Sequence, residues 1–544
     1  MGTIMVRSSK MLIKANAYTL TVLALIPMAV TSSLVRAAET KLSPELRTAI
    51  YGYQLENADQ DGKVEDSAWE LAPSILWQRQ AANMSTRLSW QHETIFYSDD
   101  QRNKLSFNDL GLNNQIRFFQ QRIAWDLDAS QSYQVRNSRQ GVFSDKITGA
   151  ENLSKVQRLG TGLAYRSLPT AQYQTDVQLR FDTMDSARPI VDDDLQELST
   201  DIYSASWLFG SNQRGLNFFW QYSGRWQAYD RSAGSDVSSL NHIAIIGVPI
   251  APKVSVVGRA GSERVDNSST YDNNFDFFGA GVEFRFGVRS RINVTMNRSD
   301  SEIAGQKKQT DTYVASDFLI APTRRTRLEG SFDRRYFGRT LQLTGNYDLR
   351  FLSMRLRMSE AVRTQNAFER EQEELGIFVC PDGSNDLASC FKPPSDRYVP
   401  VFGESLQRVT LLNVELREEL VEVRSTGFSL GYSKNRLNLN LTANDSETRY
   451  VETGNLNQNR SLALQASWRF NDNNKVAANL SIYRIDYRSG NRKDDNISAA
   501  VSYHRTLNDK SDLTVTARRL ERDSTDPDFD NSESRIWVEY RYRF

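Results

Sequence analysis

The chain has 544 residues, with 67 basic and 67 acidic side chains and a mean hydropathy of −0.55. This hydropathy excludes a bundle of membrane helices, but it suits a barrel whose strands turn only every second side chain toward lipid. The neutral charge balance excludes a nucleic-acid-binding protein with a strongly basic surface. Prolines are few, at 13, and aromatic residues are many, which suits long strands and aromatic interfacial girdles.

Residues 1–37 have the pattern of a secretory signal peptide. Arg7, Lys10 and Lys14 form its positive region, and an apolar run of about 13 residues follows from Tyr18. That run is shorter than the roughly 20 residues that a membrane-spanning helix needs. We therefore expect export and cleavage after Ala37, the alternative being an uncleaved interfacial helix.

Residues 38–83 are predicted to form a periplasmic N-terminal lead-in. Within it, Asn57–Val64 resembles the start of a calcium loop, with oxygen-bearing side chains on alternate residues. The ligand expected at the twelfth position falls on Ala68, which cannot coordinate a metal ion. The stretch DGKVEDSAW, from Asp61, also resembles the opening of a carbohydrate-binding β-sandwich, but too few residues follow for that domain. We interpret the stretch as a solvated acidic turn and expect no cofactor or metal.

From Met84 to Phe544, segments of about ten residues alternate apolar and polar side chains, which is the pattern of strands. Val282 and Phe284, for example, share one face of such a segment, and Glu283 lies on the other. The pattern predicts an all-β fold: a large antiparallel transmembrane β-barrel of about 20–22 strands, with an even number expected.

The connections between these segments alternate in character. Counting back from the C-terminus, every second connection is short and turn-like, such as 471–474 and 287–290. The others are often longer and more acidic, such as 182–201 and about 363–421, the longest predicted extracellular loop. Short periplasmic turns that alternate with long outer loops are typical of outer-membrane barrels, whereas a soluble sandwich has no reason to sort its loops this way. We therefore expect residues 84–544 to form a barrel in the outer membrane of a Gram-negative bacterium.

Cys380 and Cys390 lie ten positions apart within the longest predicted loop, around Pro, Gly and Asn turn residues. In an oxidising compartment, this spacing predicts a disulfide that keeps the loop compact. A metal site would need further thiol or imidazole ligands nearby, and the sequence offers none.

The chain ends on aromatic residues at alternating positions: Tyr540, Tyr542 and Phe544. We interpret this terminal strand as a recognition signal for the barrel assembly machinery. The other expected partners are outer-membrane lipid, lipopolysaccharide and polysaccharide export components, and no nucleic acid.

The polar faces of the predicted strands would line an aqueous lumen. Oppositely charged residues alternate along these faces, which favours hydration over selectivity for one sign of charge. The candidate lining residues are Glu283, Arg285, Arg327, Glu329, Asp333, Arg355, Arg357, Glu539 and Arg541.

The three histidines, His92, His242 and His504, are the first candidates for catalysis. An acyl-transfer or hydrolytic site would need a nucleophile and an acid within hydrogen-bond reach of one of them, and no recognisable motif supplies these groups. We therefore predict that the protein is not an enzyme. The acidic cluster Asp192–Asp194 with Glu197 is either solvated charge or a contact for divalent ions that bridge lipopolysaccharide.

Three stretches carry a family resemblance: Arg87–Asp100, Val248–Glu263 and especially Arg325–Arg350. Through them, the chain is similar to the PEP-CTERM-system-associated outer-membrane proteins, barrels found with exosortase and exopolysaccharide loci. The resemblance runs from about residue 84 to the end, and it carries no known catalytic residues. It implies a part in exopolysaccharide export or biofilm formation.

The leading functional hypothesis is a passive channel or scaffold in exopolysaccharide export. The alternatives are a general diffusion porin or a structural barrel, and then an outer-membrane hydrolase. A TonB-dependent receptor is disfavoured because no segment of plug-domain size is left over.

Overall fold

A computed structural model describes the chain from residue 38 to residue 544, and the predicted signal peptide, residues 1–37, lies outside the described residues. Within this span the described residues exclude the following positions: 58–62, 100–103, 136–144, 169, 189–196, 212–217, 233–235, 268–271, 288, 303–307, 337, 366–372, 382–403, 412–418, 451–453 and 488–491.

Among the described residues, 24 strands form one antiparallel sheet. The strands of its first part are β1 (Ala38–Asn57), β2 (Lys63–Ala81), β3 (Met84–Tyr97), β4 (Leu105–Phe118), β5 (Ile123–Val135), β6 (Leu153–Arg166), β7 (Tyr173–Ser186), β8 (Leu198–Ser211), β9 (Phe219–Arg231), β10 (Val237–Ala251), β11 (Val254–Asn267) and β12 (Asp272–Phe286).

The strands of its second part are β13 (Ser290–Glu302), β14 (Gln309–Ile320), β15 (Thr326–Arg335), β16 (Gly338–Asp348), β17 (Leu352–Gln365), β20 (Glu419–Lys434), β21 (Leu437–Tyr450), β22 (Leu456–Asn471), β23 (Asn474–Tyr487), β24 (Arg492–Asn508), β25 (Ser511–Ser524) and β26 (Asn531–Arg543). A separate hairpin, β18 (Glu373–Pro381) and β19 (Glu404–Leu411), lies in the connection between β17 and β20.

The sheet closes on itself because β1 pairs with both β2 and β26. The closing ladder runs from Glu45 opposite Arg543 to Asn57 opposite Asn531. Elsewhere each strand pairs with the next along the chain, except that β17 pairs directly with β20. Closure leaves no unpaired edge in the sheet that these 24 described strands form, which is the condition that allows a sheet to cross a lipid bilayer.

The predicted fold class is confirmed, but the predicted start of the barrel at residue 84 is wrong. Residues 38–57 and 63–81 form β1 and β2 instead of a periplasmic lead-in. Their alternation is that of the other strands, with Ile50 and Trp69 exposed on the outer face and Glu70 buried on the inner one. These strands account for part of the difference between the predicted 20–22 strands and the 24 that the described residues form.

The two faces of the sheet differ sharply in polarity, as β12 illustrates. Phe278, Val282 and Phe284 are 64%, 48% and 44% exposed on the outer face, where lipid would cover them. Glu283, between two of them, is 1% exposed and faces inward. An apolar exterior around a polar interior is the arrangement that a membrane barrel requires.

The longest connections between strands lie at one end of the barrel. The end that carries the C-terminus has short turns, such as 252–253, 435–436 and 509–510, whereas the other end carries the connections 136–152 and 366–418. The longest connections therefore lie at one end, which also has short ones such as 268–271. We take this end as the extracellular one, because long outer loops are typical of outer-membrane barrels. The described helices are the 3-10 turns Ala150–Asn152 and Pro527–Phe529, and no helix within the described part of the chain is long and apolar enough to cross a membrane.

The role of β1 in closure can be tested with Ala49→Pro. Ala49 lies opposite Glu70 of β2 and Glu539 of β26, in the middle of both described ladders of the strand. A proline there removes a ladder hydrogen bond, and its ring disturbs the extended backbone that both neighbours pair with. We expect the variant to lose most of the heat-modifiable, folded species on cold SDS gels.

Glu39→Pro is the matched control, since Glu39 precedes the residues of β1 that pair with β26. This control should fold like the wild type. Normal folding of Ala49→Pro would contradict the assignment of β1 to the barrel wall.

Candidate functional site

Residues 145–152, the end of the connection between β5 and β6, lie against the inner wall of the barrel; we call them the inward segment. The Asp145 carboxylate accepts hydrogen bonds from Arg518 of β25 at 2.7 Å and from Arg535 of β26 at 2.9 Å. These partners lie more than 370 positions away in sequence. The segment is therefore fastened to the strands that complete the barrel.

Lys146, the next residue, reaches a different part of the same wall. Its ammonium group donates to Glu93 of β3 and Asp109 of β4. Adjacent residues of opposite charge thus bind strands on both sides of the closing ladder. Two anchors of this kind fix the direction of the segment as well as its position.

An apolar contact completes the attachment of the inward segment. Ile147 and Ala150, 6% and 4% exposed, join a buried cluster with Tyr51 and Ile95 from the inner wall. The Tyr97 hydroxyl also donates to the Ile147 carbonyl at 2.9 Å. Full burial of an isoleucine side chain contributes about 1.5–3 kcal/mol, so this contact stabilises the segment alongside its ion pairs.

The ion pairs shift the pKa values of both anchoring residues in the segment. Burial alone would raise the pKa of Asp145, but Arg535 and Arg518 outweigh it and hold the pKa well below its usual range. Burial alone would lower the pKa of Lys146, but Glu93 and Asp109 outweigh it and raise the pKa. Both residues therefore stay charged across the neutral range.

The inner wall beside the segment carries a network of paired charges. Arg47 of β1 bonds to Glu70, to Glu93 at 2.7 Å, and to Glu539 of β26 at 3.5 Å. Arg541 in turn donates to Glu539 at 3.0 Å. Together with the inward segment, this wall encloses a cavity of about 570 Å³. Hydroxyl, amide and charged groups line much of it, as a hydrated passage requires.

A second network lies inside the arc from β11 to β15. Arg259 of β11 binds Asp333 of β15, and Glu263 of β11 accepts from Arg335 Nε at 2.9 Å. These bonds reach across the intervening strands, so the wall curves tightly here. The cavity that these side chains line measures about 300 Å³.

All nine candidate lining residues lie on the inner face of the sheet. Glu283 meets Arg285 at 2.8 Å, and Arg327 meets Glu329 at 2.7 Å with both side chains more than half exposed to the interior. Asp333, Glu539 and Arg541 belong to the two networks. Arg355 and Arg357 lie opposite Asn346 and Thr344, on the face that Gln342 presents to the second cavity.

The sequence analysis missed the residues that anchor the inward segment. Arg47 and Glu70 were missed because their strands were assigned to a lead-in. Asp145 and Lys146 lie in an irregular segment without periodicity, so no local pattern distinguishes them from solvated loop charges. Only the fold brings them to the inner wall.

The three histidines lie apart from one another. His92 Nδ1 is 2.8 Å from Asn108 Oδ1 on the outer face, and His242 packs edge-on near Tyr222. His504 faces the first cavity, with Nδ1 3.1 Å from Thr514 Oγ1 and Nε2 3.7 Å from Asp512 Oδ1.

The surroundings of His504 differ from a nucleophile–base–acid arrangement, because 3.7 Å is longer than a hydrogen bond and Asp512 also accepts from Arg543. The absence of enzymatic activity stays a prediction. Among the described residues, no group of three or more His, Cys, Asp or Glu side chains could hold a metal ion.

The remaining sequence predictions concern the chain end and the outer loops. Tyr540 and Phe544 point outward, 38% and 67% exposed, and Tyr542 packs edge-on against Phe544. Their role in assembly stays a prediction. Cys380 lies in β18, whereas Cys390 and the cluster Asp192–Asp194 lie outside the described residues, so the disulfide also stays a prediction.

No protein-family model and no curated protein matches the sequence. Among solved structures, the chain is similar to the siderophore receptor PirA from Acinetobacter baumannii, with 9% identity and a TM-score of 0.43 over 93% of this chain and 81% of that one. A variant of the FrpB iron transporter from Neisseria meningitidis shows 10% identity and a TM-score of 0.43 over 92% and 82%. A loop-deletion mutant of OmpT, an outer membrane protein of Vibrio cholerae, shows 8% identity and a TM-score of 0.30 over 93% and 100%.

The closed strand order and the apolar exterior define the class of this protein independently of those similarities. It is an outer-membrane β-barrel protein of the Gram-negative type, with a polar interior and an extracellular connection that folds inward.

Asp145→Ala tests the attachment of the inward segment. It removes the hydrogen bonds to Arg518 and Arg535, each of which keeps Glu533 as a partner, so the barrel itself should stay folded. A hydrogen bond to a charged group contributes about 1.5–3 kcal/mol, and we therefore expect hydrogen-exchange protection of residues 145–152 to fall at least about tenfold. Asp472→Ala, in a turn at the opposite end of the barrel, is the control. Unchanged hydrogen-exchange protection in Asp145→Ala would contradict the role of Asp145 as an anchor of the inward segment.

The same attachment should be insensitive to pH over the neutral range. The lowered pKa of Asp145 means that its contribution is lost only as the pH falls below the usual carboxyl value of 3.8. The raised pKa of Lys146 means that its contribution is lost only as the pH rises above 10.5. Protection factors of residues 145–152 should therefore be constant between about pH 5 and 9. A marked loss within that window would show that other groups hold the segment.

Proposed function

We propose that this barrel is a passive channel that takes part in the export of a surface polysaccharide. The observation that carries the channel proposal is the polar inner face, with its paired charges and an inward segment fastened across β25, β26, β3 and β4. Such a segment narrows the lumen from one side of the barrel wall.

The charge pattern of the interior suits an uncharged or weakly charged, hydroxyl-rich cargo. Arg47 and Arg541 each lie beside carboxylates, so the wall presents little net field of either sign. Paired ions stay hydrated and still offer hydrogen-bond donors and acceptors to sugar hydroxyls. A passage of this kind favours a hydrated polymer over a small ion of one charge.

The link to exopolysaccharide rests on the resemblance to PEP-CTERM-associated outer-membrane proteins over Arg325–Arg350 and the other two stretches. That resemblance supports a role beside an exosortase system in polysaccharide export or biofilm formation. It makes polysaccharide export components the expected partners.

Conductance in planar bilayers tests the channel directly. The refolded wild type should give steady openings, and Asp145→Ala should give larger ones because its inward segment is released. An uncharged or weakly charged polysaccharide added to the chamber should block the wild-type openings.

The alternative functions predict different current recordings in the same bilayer experiment. Openings that no polysaccharide blocks would favour a general diffusion porin over an export channel. A folded, heat-modifiable barrel without any conductance would overturn the channel proposal and leave a structural barrel or an outer-membrane hydrolase. Asp472→Ala is the control and should conduct like the wild type.

A further inference from the structure

Two arginines lie directly opposite each other on the outer face of the barrel. Arg460 of β22 and Arg484 of β23 are paired in register, and their side chains are 60% and 54% exposed. The residues that follow them toward the periplasmic end, Leu462 opposite Ile482, are apolar and face outward. The arginine pair therefore lies at the extracellular border of the lipid-facing surface.

Like charges directly opposite in an antiparallel ladder destabilise the pairing unless another group balances them. Here the balancing carboxylates lie on the far sides: Asp445 of β21 meets Arg460, and Asp495 of β24 meets Arg484. Arg460 uses its Nε for this contact, at 3.1 Å, which leaves both of its terminal nitrogens for another acceptor. Arg484 binds Asp495 through Nε and Nη2, which leaves its Nη1. An anion between β22 and β23 would be held by both guanidinium groups.

An apolar groove lies on the outer face below this pair. It measures about 680 Å³, and its outward lining includes Leu464, Ala466, Ala478, Leu480 and Val501. The exposed Arg519 of β25 also lines the groove, on the side away from β22. Small side chains on several adjacent strands create the depression, since Ala466 lies opposite Ala478, and Ala478 opposite Val501. The groove begins two residues beyond Leu462 and Ile482, about 13 Å from the arginine pair at the usual rise of a strand.

The charge of the arginine pair and the position of the groove together indicate one type of ligand. Arginine pairs bind phosphate groups strongly, because each guanidinium offers parallel donors. An acyl chain is the apolar group that a groove on the lipid-facing surface would meet. A ligand with a phosphate at the extracellular border and chains extending into the membrane is a phosphorylated glycolipid of the outer leaflet.

We propose that Arg460, Arg484 and the groove below them form a binding site for lipid A, the phosphorylated membrane anchor of lipopolysaccharide. One phosphate lies between the two guanidinium groups, and one acyl chain occupies the groove. The site is on the exterior of the barrel and is independent of the proposed channel.

Native mass spectrometry of the full barrel in detergent, titrated with lipid A, tests this proposal. The double variant Arg460→Gln/Arg484→Gln should weaken lipid A binding at least about tenfold, since charged hydrogen bonds to the phosphate are lost. The matched control is Arg264→Gln/Arg298→Gln, which removes two exposed arginines of β11 and β13 on another arc. This control should change the affinity less than about twofold, because surface charges away from the ligand contribute little.

Dephosphorylated lipid A should bind the wild type as weakly as lipid A binds the double variant. Ala478→Phe, which fills the groove and keeps both arginines, should also weaken lipid A binding, and it serves if the double variant does not fold. Equal affinity of the wild type for the two lipids would overturn the phosphate contact. Unchanged binding by Ala478→Phe would overturn the acyl-chain contact, and equal losses in the two double variants would show that the arginine pair is not a specific site.

Discussion

The ladder between β1 and β26 is the interaction on which the rest of this structure depends. Without it the sheet would have two edges, and the backbone groups of both would be left unpaired in lipid. With it, the whole wall becomes one continuous surface whose outer side is apolar and whose inner side is polar. The ladder also joins β1 to β26, the first and last of the described strands, so the barrel is complete only when β26 has paired with β1.

The ion pairs on the inner wall depend on this closure. Arg47 of β1 meets Glu539 of β26 across the closing ladder, and the inward segment binds β25 and β26 through Asp145 and β3 and β4 through Lys146. The Arg47–Glu539 contact joins β1 to β26 directly, and the two anchors of the inward segment link β25 and β26 to β3 and β4. A barrel that failed to close would therefore lose the ion pair across the ladder and part of the attachment of the inward segment together. The proposed passage and the fold rest on the same pairing.

Much of the fold could be predicted from the sequence, because period-two alternation reports directly which side of a strand faces lipid. It placed Glu283 and Arg285 on the inner face and indicated long connections at one end of the barrel. It missed β1 and β2, since a segment directly after an export signal was interpreted as a lead-in. It also missed Asp145 and Lys146, whose partners lie on distant strands and whose own segment has no periodicity. Contacts that form only when the barrel closes leave no local pattern in the sequence.

Disulfide cross-linking between Ile50→Cys and Val538→Cys, with Cys380 and Cys390 replaced by serine, tests closure most directly. These positions lie directly opposite in the closing ladder, within the separation that a disulfide spans. The structure predicts rapid cross-linking in the folded barrel, seen as altered migration of the unreduced, heat-denatured chain. Ile50→Cys with Tyr542→Cys, four residues out of register, should not cross-link. Equal cross-linking of both pairs, or none in either, would contradict the closed barrel.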